Sequence, residues 1–399
     1  MTSVLLERRV LTWVWMLYAA AMTSQSQDAC KKQLLLQTEV GQRYELGQSI
    51  NPVLNELPLV HPGARYLRAL VVAQDTLSCN WGVVVRDKQY RAMQVFVNTS
   101  FDLGRKWTKR IEGDVIYVQI LPCSNGTAPS VMVQSYIAMP LTASNPYYSF
   151  QDESKPANRD LFGSAIDSDS GPATSKGTRE LGDNVAFVMA SYNKTSWVCS
   201  GVMIRQNLLL TNWHCGGVAP LGPADYWNDI VVKDMFADIS WDGDQISREY
   251  TGVQRVAFSE KLDYALIRMT PLDPSDSVLP VRVTEHDPEP GEKLVLIHHT
   301  EGLQKQISTC QVERVDRNSG ATISDSEFPH LCDTEKGSSG SPVFNWSGVM
   351  VGLHHAGFAL NDKCRPVDHV NKAIKMSRIL ADLHERYPDQ YAAIMQVGR

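Results

Sequence analysis

Short apolar runs, each bounded by glycine, proline, asparagine or aspartate, recur along most of the chain. Between residues 30 and 150 they lie at Tyr66–Val72, Trp81–Val85, Ala92–Val97, Val115–Ile120 and Val131–Ile137. Runs of this length with turn residues between them are typical of β-strands, and no helical periodicity of useful length accompanies them. This region therefore predicts a small β-sandwich.

A second series of strand-like runs begins near residue 180. Its members are Val185–Ser191, Trp197–Ile204, Asn207–Leu210, Ile230–Val232, Ala265–Arg268, Lys293–Ile297, Val343–Phe344 and Val349–Leu353. Residues 151–180, rich in serine, glycine and proline, predict a linker between the two series. Apolar residues at helical spacing between Asn371 and Arg386 predict an amphipathic C-terminal helix. We expect an all-β chain with a β-sandwich at 27–150 and a second β domain, closed by that helix, at 181–399.

The N-terminus resembles an export signal. Charged residues at positions 7–9 precede an apolar stretch of 13 residues, Val10–Met22, and a polar run follows. A membrane-spanning helix needs about 20 residues, so a cleaved signal peptide at 1–26 is favoured over a retained anchor. We expect a secreted, extracellular or periplasmic protein that has no membrane contact once the signal is removed.

The eight cysteines agree with export, because an oxidising compartment allows an even set to pair. Neither a CxxC pair nor an HExxH motif is present, so no metal site is predicted. The formal net charge is −6, and the one basic cluster, residues 105–110, is interpreted as a solvated hairpin. Nucleic-acid binding is not expected from this charge balance.

Three segments of the C-terminal half carry chemically suggestive residues. His214 follows the apolar run 208–213, Asp263 begins another apolar run, and Ser339 lies within Gly-Ser-Ser-Gly-Ser-Pro at 337–342. A serine hydroxyl becomes nucleophilic when an imidazole accepts its proton and a carboxylate orients that imidazole. The three residues therefore predict a catalytic triad.

The glycine before the serine has a second predicted role. Gly337 permits a sharp turn, which would direct the backbone N–H groups of Gly337 and Ser339 at a developing oxyanion. These two N–H groups are the predicted oxyanion hole.

Together these residues resemble the trypsin-like serine peptidases, and especially the bacterial secreted branch of glutamyl and lysyl endopeptidases, with its similar Gly-x-Ser-Gly-Ser-Pro signature. Over residues 181–399 the resemblance implies a two-β-barrel domain. It implies a serine endopeptidase that forms an acyl-enzyme with protein or peptide substrates, needs no cofactor and acts as a monomer. It also implies a disulfide between Cys199 and Cys215 that braces the histidine loop.

The other cysteines are less constrained. We pair Cys310 with Cys332, which would brace the approach to the nucleophile loop. The connectivity of Cys30, Cys79, Cys123 and Cys364 stays open, with a bridge from Cys364 to the N-terminal region as one possibility.

The sequence departs from trypsin in one informative way. Ser338 stands where trypsin has the aspartate that receives the new N-terminus on activation, so that ion-pair switch cannot operate here. Specificity is ambiguous: Thr334 and His354 match glutamyl endopeptidases, whereas Asp333 stands where trypsin has the acid that attracts a basic residue. All three are candidate substrate-binding residues, and Asp333 has a structural role as its alternative.

Two other functions compete with a peptidase. An α/β-hydrolase esterase would have the elbow Gly-x-Ser-x-Gly, but Ser341 occupies the last glycine position, and its triad order would be reversed. A secreted binding protein on an inactive protease scaffold would have lost a triad residue, and none is lost. The N-terminal domain could serve as a chaperone-like prodomain, an attachment module or a stabilising unit.

Overall fold

The computed structural model describes twelve segments of the chain. They are residues 38–50, 54–74, 77–98, 105–140, 159–161, 180–193, 195–217, 223–241, 248–302, 305–314, 323–357 and 370–396. The predicted signal peptide, nearly all of the predicted linker, and Cys30 and Cys364 lie outside these residues.

The N-terminal part folds into two facing sheets. Its strands are β1 (Thr38–Ser49), β2 (Glu56–Val60), β3 (Ala64–Ala73), β4 (Gly82–Asp87), β5 (Ala92–Val97), β6 (Arg105–Trp107), β7 (Ile111–Glu112), β8 (Val115–Leu121) and β9 (Val131–Pro140). One sheet has the order β2-β8-β4-β5, and the other contains β1, β9, β3 and β6, with β7 also pairing β3. Alternate residues of both sheets, among them Leu67, Val83 and Val118, form the core between them. This is the β-sandwich that the short apolar runs between turn residues predicted.

The remaining strands form two further units. They are β10 (Arg159–Leu161), β11 (Val185–Tyr192), β12 (Thr195–Arg205), β13 (Leu208–Thr211), β14 (Phe236–Asp238), β15 (Glu249–Ser259), β16 (Tyr264–Pro271), β17 (Lys293–His298), β18 (Gln306–Gln311), β19 (Glu327–His330), β20 (Pro342–Asn345), β21 (Met350–Ala356) and β22 (Asn371–Lys375). Strands β11-β14-β15-β16-β13-β12 close into a six-stranded barrel, because β11 also pairs with β12. Strands β10-β18-β17-β20-β21-β22-β19 form a second, partly closed barrel, whose ends approach at a bridge between Val312 and His330.

One predicted strand is wrong. Residues 230–232 lie in a helix, α1 (Asp229–Asp234), rather than in a strand. The side chain of Asn228 accepts hydrogen bonds from the backbone N–H groups of Ile230 and Val231, so it caps the first turn. Capping and the burial of Val231 and Val232 together outweigh the β propensity of this apolar triplet.

The predicted C-terminal helix begins later than expected. Residues 371–375 extend the second barrel as β22, which pairs with both β19 and β21. Helix α2 (Met376–Arg386) and a short helix α3 (Pro388–Met395) follow. The apolar face of α2 packs against residues of both barrels, including Leu210 and Leu353. Among the helices that the structure describes, none has the length and apolar character needed to span a bilayer.

The sandwich is joined to the first barrel through a continuous sheet. Strand β1 pairs with β12, so the β1-β9-β3 sheet extends the barrel wall. Beside this junction Arg68 and Glu249 form an ion pair at 3.2 Å with both side chains fully buried. The Arg68 guanidinium also lies 3.4 Å from the centre of the Phe236 ring. The interface therefore combines a shared sheet with a buried charge pair.

Candidate active site

His214 lies in a 3₁₀ turn directly after strand β13. A disulfide joins the neighbouring Cys215 to Cys199 on β12, as the resemblance implied. The indole N–H of Trp197 donates to the carbonyl of Cys215 at 2.8 Å. A disulfide and a hydrogen bond therefore fix the turn that carries the imidazole to strand β12.

Asp263 contacts His214 through both carboxylate oxygens. Its Oδ2 lies 2.7 Å from His214 Nδ1, and its Oδ1 accepts the backbone N–H of His214 at 2.9 Å. Asn212 donates to the Asp263 carbonyl at 2.8 Å, which fixes the turn before β16. Burial alone would raise the pKa of this carboxyl, but the neighbouring His214 and His355 hold the pKa well below its ordinary value. Asp263 is therefore a carboxylate that orients the imidazole.

Ser339 lies on a turn with glycines on both sides. Gly337 has φ 94° and Gly340 has φ 85°, a region that favours glycine. Ser200 of the first barrel contacts this turn twice: its N–H donates to the Ser339 carbonyl and its hydroxyl donates to the Gly337 carbonyl, both at 2.8 Å. The Sγ atom of Cys215, next to His214, lies 3.8 Å from the Ser339 carbonyl oxygen. The serine turn of the second barrel therefore packs directly on the histidine turn of the first.

The side chains of His214 and Ser339 both lie just beneath the surface. His214 is 7 % exposed and Ser339 is 9 % exposed. Because electrostatic interactions are stronger at this depth than in water, the Asp263 carboxylate interacts more strongly with the His214 ring than it would at an exposed site.

Ser338, at the position of the trypsin aspartate, lies in a buried hydrogen-bonded network. Its hydroxyl lies 2.7 Å from His298 Nδ1 and 3.0 Å from the Thr300 hydroxyl, and it accepts the backbone N–H of Glu335 at 3.1 Å. All these polar contacts come from residues already inside the second barrel. The serine turn is consequently held without an ion pair at this position.

A second imidazole contacts the carboxylate of Asp263. His355 Nδ1 lies 3.4 Å from Asp263 Oδ2, and His355 Nε2 lies 2.9 Å from Glu327 Oε1. Burial disfavours the imidazolium, but the two carboxylates outweigh it and raise the pKa of His355 to about 9. The same contact lowers the pKa of Glu327 to about 2 despite its partial burial. His355 is therefore a cation at neutral pH.

The candidate specificity residues differ in their surroundings. His354 is buried and its Nδ1 lies 3.2 Å from His330 Nε2. Burial and the neighbouring histidines lower the pKa of His354 well below its ordinary value, so the ring is neutral. Thr334 is also buried, while Asp333 is half-buried and donates its backbone N–H to the Ser308 hydroxyl at 2.9 Å. A neutral His354 offers a hydrogen bond, not a positive charge.

In the part of the chain that the structure describes, two groups of cysteine and histidine have ligand atoms within 4.8 Å of one another. They are Cys199, His214 and Cys215, and Cys310, His330 and Cys332. In both groups the sulfur atoms form a disulfide, so neither offers the thiolate that a metal ion needs. A third disulfide joins Cys79 and Cys123 within the sandwich, a pairing that the sequence left open.

Glu327, Ser200 and the role of His355 were not predicted from the sequence. A weak signal existed for His355, because neighbouring residues of a strand face opposite sides and His354 and His355 cannot share one pocket. No local pattern marks Glu327 or Ser200, which reach the site only through the pairing of distant strands.

Comparisons with known proteins bear on the same region. Residues 199–353 match the family described as trypsin-like peptidase domain. A curated relative, the secreted RxLR effector protein 73 of Plasmopara viticola, is 26 % identical over 191 residues, which cover 44 % of this chain and 45 % of that protein. The match thus spans less than half the length of this relative.

The chain also has low similarity to solved structures. A scabies mite inactivated protease paralogue shares 15 % identity, with a TM-score of 0.41, covering 53 % of this chain and 96 % of that one. A serine endoprotease from Yersinia pestis shares 15 % identity, with a TM-score of 0.40, covering 54 % and 66 %. The closed barrel, its partly closed partner and the C-terminal helix form the predicted two-barrel fold, and residues 199–353 within it are similar to the trypsin-like peptidase domain.

Proposed function

We propose that the protein is an exported serine endopeptidase in which Ser339 is the nucleophile, His214 the general base and Asp263 the orienting carboxylate. The observation that carries the proposal is the double contact of Asp263 with the ring and backbone N–H groups of His214. Such a contact selects the tautomer in which Nε2 can accept the serine proton.

Catalysis would proceed through an acyl-enzyme. His214 takes the proton of the Ser339 hydroxyl as its oxygen attacks the peptide carbonyl, and later gives that proton to the leaving amine. The backbone N–H groups of Gly337 and Ser339 would stabilise the oxyanion, in support of which Gly337 adopts the left-handed conformation of a tight turn. In the second half of the reaction a water molecule gives a proton to His214 and attacks the acyl ester. His214 then returns the proton to the Ser339 oxygen, and the carboxylic acid product leaves.

Export is supported by the disulfides, because such bonds form and persist in oxidising compartments. Cleavage preference is the finer part of the proposal. The neutral, buried His354 and the buried Thr334 favour recognition by hydrogen bonds, whereas Asp333 would favour a basic residue. Profiling the cleavage products of a denatured protein mixture distinguishes these preferences.

Labelling with a fluorophosphonate probe tests the proposed activity. We expect covalent labelling of the parent and none of Ser339→Ala, with a loss of about 10⁴–10⁶ in turnover for that variant. Ser130→Ala, which changes an exposed serine of the sandwich, is the matched control and should label like the parent. Equal labelling of the parent and Ser339→Ala would reject the peptidase and favour a binding protein on an inactive scaffold.

A further inference from the structure

His355 links the carboxylate of Asp263 to a second carboxylate. One ring nitrogen faces Asp263 Oδ2 at 3.4 Å and the other faces Glu327 Oε1 at 2.9 Å. The other oxygen of Glu327, Oε2, accepts the backbone N–H of Ser324 at 2.9 Å. Glu327 is thereby fixed at the far end of a row that runs Glu327, His355, Asp263, His214.

The row crosses from one barrel to the other. Asp263 belongs to the turn before β16 in the first barrel, whereas His355 lies on β21 and Glu327 begins β19 in the second. The His355 side chain is 14 % exposed, and both carboxylates are at most 18 % exposed. The electrostatic interaction of these three groups is therefore weakly screened by water.

The charges of Glu327, His355 and Asp263 determine the net charge beside the His214 ring. The two carboxylates and one imidazolium of Glu327, His355 and Asp263 carry a net charge of −1, which faces the imidazole that accepts the serine proton in the proposed mechanism. The titratable groups that face His355 are Asp263 and Glu327, with His214, His330 and His354 as the nearby imidazoles. His330 and His354 are neutral because burial lowers the pKa of both.

We propose that His355, held by Glu327, is a positioning residue that fixes the carboxylate of Asp263 against His214. This inference rests on the proposed function, because it assigns a role within the same site. Asp263 Oδ2 is shared by two imidazole nitrogens, so His355 restricts rotation of the carboxylate about its Cβ–Cγ bond. Glu327 maintains the cationic form of His355, and that cation keeps the buried Asp263 ionised.

The test measures inactivation by a fluorophosphonate probe on the full chain, which yields a maximal rate kinact and a half-saturating concentration KI. His355→Ala removes both the donor and the charge, while His355→Asn retains a donor without the charge. Glu327→Gln leaves His355 in place without its second carboxylate. His286→Ala, which changes an exposed histidine of the same domain, is the matched control.

We expect His355→Ala to lower kinact about 10- to 100-fold, less than the ~10⁴ that follows replacement of a triad aspartate by asparagine. KI should stay within about twofold, because the His355 ring lies against Asp263 and Glu327, and its proposed role affects the chemical step rather than binding of the probe. His355→Asn should recover part of the loss, and Glu327→Gln should lie between the parent and His355→Ala. The control should match the parent.

The pH profile separates positioning from a merely structural role. In the parent, kinact should fall above pH 9, because loss of the His355 proton puts a ring lone pair opposite a carboxylate. This alkaline limb should vanish in His355→Asn. If His355→Ala unfolds, His355→Asn and Glu327→Gln carry the same comparison.

The outcomes distinguish this inference from the function on which it rests. A parent that does not label overturns both. A parent that labels, with folded His355 and Glu327 variants that retain its kinact and its alkaline limb, overturns only the role of His355.

Discussion

The buried ion pair Arg68–Glu249 joins the N-terminal sandwich to the first barrel, and we expect it to contribute measurably to the free energy of unfolding. The two charges lie 3.2 Å apart, neither is exposed, and Glu249 also accepts the backbone N–H of Arg110 at 2.8 Å. At an effective dielectric constant of ~20 their attraction is about 5 kcal/mol, and it offsets the cost of removing both charges from water. Removing one partner leaves the other charge buried without its ion-pair partner, with only the neighbouring Arg110–Asp238 pair beside it.

We therefore expect Arg68→Met and Glu249→Gln each to lower the free energy of unfolding by about 3–5 kcal/mol. The double variant Arg68→Met/Glu249→Gln should be more stable than the sum of these losses implies, because it buries no unpaired charge. Arg91→Met is the control: Arg91 pairs with Asp87 at 2.6 Å, but its side chain is 68 % exposed, so the loss should be under about 1 kcal/mol.

Urea denaturation, followed by tryptophan fluorescence, measures these differences without adding salt that screens charges. Single variants within about 1 kcal/mol of the parent would refute the reasoning, as would a double variant whose loss equals the sum of the single losses. Either result would mean that the sandwich is held to the barrel by the shared sheet and apolar packing, without a contribution from the ion pair.

Two further predictions concern the site itself. Gly340→Ala should prevent labelling and lower the melting temperature sharply, because an added Cβ would lie 2.2 Å from the Ser200 carbonyl oxygen. The control is Gly291→Ala, at a similar φ of 89°, where an added Cβ meets no atom within 4 Å and the free energy of unfolding should fall by only about 1–2 kcal/mol. Equal melting temperatures of the two variants would contradict this prediction. Because the pKa of His355 is raised to about 9, the stability that its ion pairs contribute is complete below pH ~6.5 and is lost as pH rises through 9. Because the pKa of Glu327 is lowered to about 2, its contribution is complete above pH ~4.5 and is lost as pH falls. Melting temperatures measured between pH 2 and 10 should therefore show the largest contribution of Glu327, His355 and Asp263 near pH 5–6. A His355→Asn variant whose melting temperature falls at alkaline pH as the parent's does would disprove this prediction.

The sequence by itself carried the β architecture and the residues of the proposed triad. Alternating apolar runs with turn residues between them specify strands whatever their partners are, because the pattern reflects which face is buried. The glycines around Ser339 specify a tight turn for a similarly local reason, since few other residues adopt the positive φ found there. The sequence was misleading at residues 230–232 and 371–375, where a cap and a strand partner outweighed local propensity.

Only the tertiary structure decided which charges meet. Arg68 and Glu249 are 181 residues apart, and no periodicity links them. Likewise, His355 and Glu327 reach Asp263 because the second barrel packs its strands β19 and β21 against a turn of the first. A local pattern records the burial of each residue but not the identity of its neighbour, and the energy of a buried charge depends on that neighbour.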